Sequence, residues 1–268
     1  VALVKFGILQ PKTVLIAPRG ELGGGALSIK PLKKSLYLKL AKVTRYYDQV
    51  FWHASSEQEA RVFVRQNETK LPKGPLTNTA NESFETLRLV YIGRISEKKG
   101  LHDALVALRM ANRAITFDVY GGFESREYQS RIVNLISKLP QNVDVRLKGP
   151  IPHNDVRSTF RGYHAFLFPT THENFGHTII ESLSASCPVL VRDVTPFTEV
   201  IENGGGLILP ETPSEWPVIF DKIAPTANVS LEAAATKAGS AYATWRNGTN
   251  APSVFDQLAQ HLTGSRVR

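Results

Sequence analysis

Beyond residue 84 the chain alternates short apolar runs with stretches of helical spacing, and no other feature constrains its fold as strongly. The apolar runs lie at 87–92, 115–120, 143–147, 165–169 and 188–191. Between them, 101–111, 124–138, 154–160 and 176–184 read as helices. Continuous apolar runs this short predict strands buried on both faces. Strands separated by single helices predict βαβ units, and so a parallel sheet covered on both sides. Strand and helix signals continue to about residue 262, with no low-complexity tract or fixed-period repeat.

A shorter alternation precedes this one. Residues 13–17 and 49–53 read as strands, with a helix expected over 31–47. Leu32, Leu36, Leu40, Val43 and Tyr47 share one face of that helix, and Lys33, Lys34, Lys42 and Arg45 lie off it. Ser55 and Ser56 cap a second helix to about residue 64, with Glu57 and Glu59 in its first turn. Residues 71–85 carry Pro72, Gly74 and Pro75 among mostly polar residues, a linker composition. The expected organisation is therefore 1–72 as the remainder of an N-terminal domain, 73–84 as linker and 85–268 as a complete C-terminal domain. Two strands are too few for a sheet covered on both faces, so the first domain is expected to be truncated. Val1 at the start and Met110 as the single methionine agree with a processed or partial chain.

Charge divides along the same boundary. Residues 1–72 hold twelve basic and five acidic side chains, and the remainder twenty and nineteen, out of a net +8. A basic first segment implies an anionic partner or a solvated face. Nucleic acid is disfavoured, because the basic residues gather on one helix without an aromatic stacking platform. Lys33, Lys34, Lys39, Lys42 and Arg45 are instead expected to border an acceptor cleft or touch anionic lipid. No apolar run approaches the roughly 18 residues of a membrane span, and the first twelve residues lack the order of a secretory signal. Cys187 stands alone, which excludes an internal disulfide and fits a reducing compartment. A cytoplasmic location, at the inner face of the membrane where lipid is touched, is the expectation.

Ligands of open parallel sheets bind where strand carboxyl ends meet helix starts. After the 87–92 run come Gly93, Arg94, Ile95, Ser96, Glu97, Lys98, Lys99 and Gly100. Gly93 permits close approach of a ligand, and Arg94 and Lys99 suit phosphate oxygens. Taken alone, this segment reads as a charged turn. After the 165–169 run come Thr170, Thr171, His172, Glu173, Asn174, Phe175, Gly176 and His177, opening a helix that carries Glu181. Amides at that helix start favour an anion such as a diphosphate. Glu173 and Glu181 could accept hydrogen bonds from vicinal hydroxyls. Glu173 is otherwise a helix-start acid and Glu181 a solvated helix position, although Ile179, Ile180 and Leu183 argue against the latter. No Asp-x-Asp, no Cys/His cluster at metal spacing and no phosphate-loop glycine motif occurs. A bound diphosphate would then be neutralised by Arg94, Lys99 and helix amides.

The run Glu173-Asn174-Phe175-Gly176-His177-Thr178-Ile179-Ile180-Glu181 resembles the Glu-x7-Glu signature of family 4 retaining glycosyltransferases. Gly93-Arg94 with Lys99-Gly100 is similar to that family's diphosphate-binding pair. Pro18-Arg19-Gly20, Ala26 and Lys33-Lys34 resemble the end of its N-terminal domain, and Asp193, Thr195 and Pro196 its extension beyond the signature. Ser186 departs from the pattern, standing where the family usually has glycine, and a local packing effect is expected there. The family's N-terminal acceptor loop and active-site histidine have no match, and neither His53 nor His172 takes that role.

The resemblance implies a GT-B-type fold, two facing Rossmann-like α/β domains, with the donor held mainly by the C-terminal one. It implies that Glu181 binds ribose, Glu173 contacts the donor sugar, and Arg94 and Lys99 hold the diphosphate. Phe175, Gly176 and His177 would offer backbone groups beside Asn174, Thr178 would reach the phosphates, and Pro150 and Ile151 would flank the base. The implied reaction moves a hexose from a UDP-, GDP- or ADP-sugar to a sugar or lipid-linked hydroxyl, without metal or other cofactor and with retention of configuration, in glycan, lipopolysaccharide or exopolysaccharide synthesis. The alternative is a nucleotide-sugar-binding fragment or partner subunit without activity. A sugar-nucleotide epimerase of the same fold is disfavoured by the Glu-x7-Glu pattern.

Overall fold

A computed structural model describes residues 71–80, 86–173, 176–223 and 231–248, together with two short strands nearer the N-terminus. The chain divides into two compact units, Lys70–Asn250 and Val1–Thr69 with Ala251–Arg268. In the latter, β1 (Leu15–Ile16) pairs in parallel with β2 (Phe51–Trp52), within the two runs expected as strands. The helices expected over 31–47 and 55–64 lie outside the described residues.

The larger unit follows the alternation. Its elements are β3 (Leu87–Ile92), α1 (Leu101–Leu108), β4 (Ile115–Tyr120), α2 (Arg126–Ile136), β5 (Val143–Gly149), α3 (His153–Phe160), β6 (Ala165–Phe168), α4 (His177–Ser184), β7 (Val189–Val191), β8 (Gly206–Ile208), α5 (Trp216–Ile223) and α6 (Leu231–Gly248). All six strands from β3 to β8 are parallel, in the order β5-β4-β3-β6-β7-β8. Helix α2 starts at Arg126, later than its periodicity predicts, because Ser125 caps it by accepting from the Tyr128 amide at 3.1 Å. Among the described residues no helix is long and apolar enough to cross a membrane.

The sheet runs outward from β3 in one direction and from β6 in the other. Right-handed crossovers place helices on opposite faces when the direction reverses. Accordingly α1 packs with α2 and α5, whereas α3 and α6 pack against α4. The central strands are apolar throughout as a result: β6 reads Ala-Phe-Leu-Phe and β7 Val-Leu-Val, every residue buried. At the edge, β5 buries Val143 but exposes Asp144, Arg146 and Lys148, charges that discourage pairing with another strand.

Residues 71–80 form no regular element and run along α3 and α4. The Leu76 amide donates to Ser184 O at 2.8 Å and the Thr79 amide to Arg161 O at 2.9 Å. Asn78 Nδ2 reaches Tyr163 O and Ser186 O, each at 3.1 Å. His164 accepts the Arg88 amide at Nδ1 (3.0 Å), so its Nε2–H donates to Ala80 O (2.8 Å). Burial holds that imidazole below its usual pKa, in keeping with the neutral tautomer.

Ser186 is the one non-glycine residue with positive φ among the described residues, at 54°. A Cβ in left-handed backbone meets the following carbonyl, a strain that glycine avoids. The packing effect expected at this position is thus a backbone effect. Ser186→Gly is expected to raise stability by about 1 kcal/mol, seen as a thermal midpoint about 2–4 °C higher. An unchanged or lower midpoint by calorimetry would show that Ser186 sits without strain.

Candidate functional site

The reversal of strand order falls between β3 and β6, and the crevice for a ligand opens at their carboxyl ends. Two loops meet there, 93–100 after β3 and 169–176 after β6. The Thr171 amide donates to Lys98 O at 2.9 Å, and the Thr170 hydroxyl lies 3.2 Å from the same oxygen. Gly100, with φ 71°, lets the loops touch: a Cβ there would stand 2.1 Å from Pro169 O.

This backbone approach brings two predicted residues into contact. Lys99 Nζ donates to Glu173 Oε2 at 2.8 Å, with the side chains 25% and 15% exposed. The ammonium also lies 5.2 Å from the centre of the Phe168 ring. Arg94 is placed differently. Its carbonyl accepts from the buried Tyr91 hydroxyl at 2.8 Å, which holds the loop, and burial keeps that phenol protonated. Its guanidinium is 74% exposed and lies 3.8 Å from Glu124, in the loop after β4. Gly93 continues the sheet, its amide donating to Tyr120 O at 3.0 Å.

Helix α4 starts on Gly176, whose φ of 81° turns the chain into the helix with no side-chain cap. Its first turn presents His177 exposed and Thr178 half-buried, with its amides directed to the loop. Glu181, one turn on, is only 7% exposed among Ile179, Ile180 and Leu183, which removes the reading of a solvated helix position. Burial pushes its carboxyl pKa above the usual range, and His153, with Nδ1 3.5 Å from Oε1, opposes that shift. His153 stands at the start of α3, just after Pro150 and Ile151; Pro150 is exposed and Ile151 half-buried against the core. Asn174 and Phe175 lie outside the described residues. His172 is exposed in the loop without a contact that gives it a role.

The arrangement joins a cation and a carboxylate at the switch point, further cations at Arg94 and Lys98, a helix start, and a buried carboxylate one turn into that helix. This suits a ligand with both anionic and vicinal-hydroxyl parts. Among the described residues no group of three or more His, Cys, Asp or Glu side chains could hold a metal ion. Sequence reading missed His153, Tyr91 and Glu124. The loops after β4 and β5 were available as the signal, since every strand of a parallel sheet delivers its following loop to the same end.

The family profile of glycosyl transferases group 1 matches residues 79–224, more than half of the 268. The chain belongs to that family. Its match contains β3 to α5, and so every loop of the crevice. Among curated relatives, the GtfA subunit of a UDP-N-acetylglucosamine–peptide N-acetylglucosaminyltransferase from Streptococcus agalactiae is 28% identical over 63% of this chain and 37% of its own. The capsular polysaccharide biosynthesis glycosyltransferase CapM from Staphylococcus aureus is 28% identical over 52% and 36%. The chain thus spans about a third of the length of these relatives. A crystal structure of Anabaena HepE in complex with UDP and glucose matches with a TM-score of 0.69 and 16% identity, covering 94% of this chain and 71% of that one. That likeness shows the fold: a parallel α/β sheet with helices, as in glycosyltransferases of the GT-B type.

Gly100 is a position at which this group 1 glycosyltransferase domain admits no side chain without backbone movement. Gly100→Ala is expected to lower stability by about 1–3 kcal/mol, from the left-handed backbone and the clash with Pro169 O. Chemical denaturation measures it, and a loss below about 0.5 kcal/mol would mean that the two loops can part without cost.

Proposed function

We propose that this chain carries the donor site of a metal-independent, retaining glycosyltransferase of the family 4 type. The single observation behind the reading is the Lys99–Glu173 pair across the switch point, with the start of α4 and Glu181 beside it. A nucleoside diphosphate sugar supplies what these groups accept. Its diphosphate lies against Lys99, Arg94 and the amides of α4. Its ribose hydroxyls donate to Glu181, and its sugar hydroxyls to Glu173.

In the reaction the bond between the anomeric carbon and the diphosphate oxygen breaks, and its electron pair leaves with the diphosphate. The acceptor hydroxyl oxygen bonds the anomeric carbon on the same face, and its proton passes to the departing phosphate oxygen. Charge builds on the leaving group, so fixed cations and amides stabilise the transition state more than bound donor. With those cations in place no metal or other cofactor is required. UDP-, GDP- and ADP-sugars all fit this chemistry, with a sugar or lipid-linked hydroxyl as acceptor. The names of the relatives favour polysaccharide synthesis. The basic residues between 30 and 45 are the proposed membrane contact, and a cytoplasmic setting at the membrane's inner face suits such an acceptor.

The domain reading kept here is 85–268 for the donor side, 73–84 as linker and 1–72 for the acceptor side. A second reading is donor binding without transfer. Binding of a nucleotide sugar in a thermal-shift panel with neither hydrolysis nor transfer would select it.

Replacing Lys99 or Arg94 by alanine is expected to lower turnover by about a hundred- to thousandfold, with less than about tenfold loss in donor affinity. Equal turnover in both variants would end the proposal. Donor binding should also depend on pH through Glu181. Its ionised form accepts the ribose hydroxyls, and its raised pKa means that protonation starts at a higher pH than for an exposed glutamate. Affinity is therefore expected to fall as the pH drops towards and through that pKa, and Glu181→Gln to bind weakly at every pH. The same pH profile in wild type and Glu181→Gln, measured by calorimetric titration, would remove Glu181 from the site.

A further inference from the structure

Glu181 lies near two helix starts. It stands one turn into α4, and His153 opens α3, the helix that follows the loop of Pro150 and Ile151. The two helices pack against each other. His153 Nδ1 lies 3.5 Å from Glu181 Oε1, with the imidazole 84% exposed and the carboxylate side chain 10%. The imidazole therefore stands on the solvent side of the carboxylate. At a helix start a cation meets the positive end of the helix dipole, a cost that a facing carboxylate offsets.

A carboxylate this deeply buried stays ionised where charge or hydrogen bonds replace its lost hydration. Among the described residues no hydrogen bond reaches the Glu181 carboxyl: burial raises its pKa and the His153 charge lowers it. The elements packed against α4 are α3, α6 and β7, and β7 carries no charge. Their other charged groups turn to different partners or stand exposed. Arg157, one turn on from His153, donates to Ser184 Oγ and to Gly74 O, each at 2.9 Å. Arg246 of α6 donates to Leu71 O at 3.3 Å. Asp155 of α3, His177 of α4, Glu232 and Lys237 of α6 and Lys73 of the 71–80 segment are exposed. In the crevice, Lys99 and Glu173 are paired with each other.

We propose that His153 is a positioning residue of the donor site: its imidazolium, set beside Glu181 by the start of α3, keeps that carboxylate ionised and open to vicinal hydroxyls in mildly acidic solution. The inference rests on the reading of Glu181 as the acceptor of ribose hydroxyls. A carboxylate has room for both partners, with Oε1 facing the imidazole and Oε2 left for a hydroxyl. Histidine is the side chain whose ordinary titration falls between pH 5 and 8, so the facing charge is present on the acid side of that range and absent on the alkaline side. Imidazolium lowers the pH at which Glu181 takes up its proton. Removing it raises that pH, and donor affinity is then lost from the acid side alone. Packing alone would give a loss at every pH.

Two measurements on the full chain test this: NMR titration of carbon-13-labelled glutamate carboxyls, and calorimetric binding of UDP-glucose, GDP-mannose and ADP-glucose. The Glu181 signal is assigned by its absence in Glu181→Gln. Without nucleotide sugar, His153→Gln is expected to raise the midpoint of the Glu181 titration. His153→Lys, a permanent cation, should not raise it. For the nucleotide sugar that binds, His153→Gln is expected to match wild type at about pH 8 and to bind about two- to fivefold more weakly at about pH 5.5, the range for one partly exposed ion pair. His153→Lys should restore the affinity at the lower pH. An unchanged Glu181 midpoint in His153→Gln would overturn the proposal, as would an affinity loss of the same size, or none, at both pH values. If wild type bound none of the three at about pH 8 while the midpoint still moved, the donor reading would fall, and with it the role of His153 in that site. The first result condemns the His153 inference alone, and the last condemns the reading beneath it.

Discussion

The site rests on a backbone contact. Pro169 O and the α-carbon of Gly100 approach so closely that no side chain fits between them, and this lets the loop after β3 lie against the loop after β6. Lys99 follows directly. Without that approach its ammonium would reach solvent, and Glu173 would lose the charge that faces it at 2.8 Å. Each partner makes the other's burial acceptable, and removing one member of a well-buried pair costs about 3–5 kcal/mol, less here because a quarter of Lys99 is exposed. Such a pair is held in place yet able to exchange partners. In the donor complex proposed above, a phosphate would take the ammonium while a sugar hydroxyl takes the carboxylate, without either charge passing through an unpaired state.

The fold was legible because burial on both faces writes a continuous apolar run. Ala165, Phe166, Leu167 and Phe168 cannot be an edge strand, and Leu87–Ile92 and Ile115–Tyr120 appear with the bounds their composition predicts. Boundaries set by hydrogen bonding were less visible. The end of β5 extends to Gly149 because its partner β4 runs on to Tyr120, a property of the pairing and not of the residues 143–147 alone. The 71–80 segment shows the same limit: its prolines announce the lack of a helix or strand, but nothing in them announces Ser184, Arg161 and Ser186 as partners.

In the candidate site, residue type and strand end point to Lys99, Glu173 and Glu181, and the structure brings the first two into contact. They could not give direction. Arg94 and Lys99 share one loop and look alike as phosphate ligands, but Tyr91 holds the Arg94 carbonyl and its side chain turns to Glu124. His153 was invisible for a related reason: its proximity to Glu181 arises from two helices, α3 and α4, that meet only through the reversal of strand order. Contacts across a sheet's switch point are long-range by construction, so single-sequence patterns carry little trace of them.

The two buried carboxylates among the described residues, Glu181 and Asp118, follow one rule with different outcomes. Glu181 lies in a helix that begins at the crevice, beside a histidine that can share its charge, and burial alone raises its pKa. Asp118 lies in a strand, where the Tyr163 hydroxyl satisfies Oδ2 and Oδ1 is buried without a hydrogen-bond partner among the described residues. Asp118 completes a small network with the Tyr163 and Tyr120 hydroxyls, whereas Glu181 meets His153 beside the crevice. The strand carboxylate is thus tied into the fold, and the helix carboxylate stands one turn into a helix that starts at the crevice.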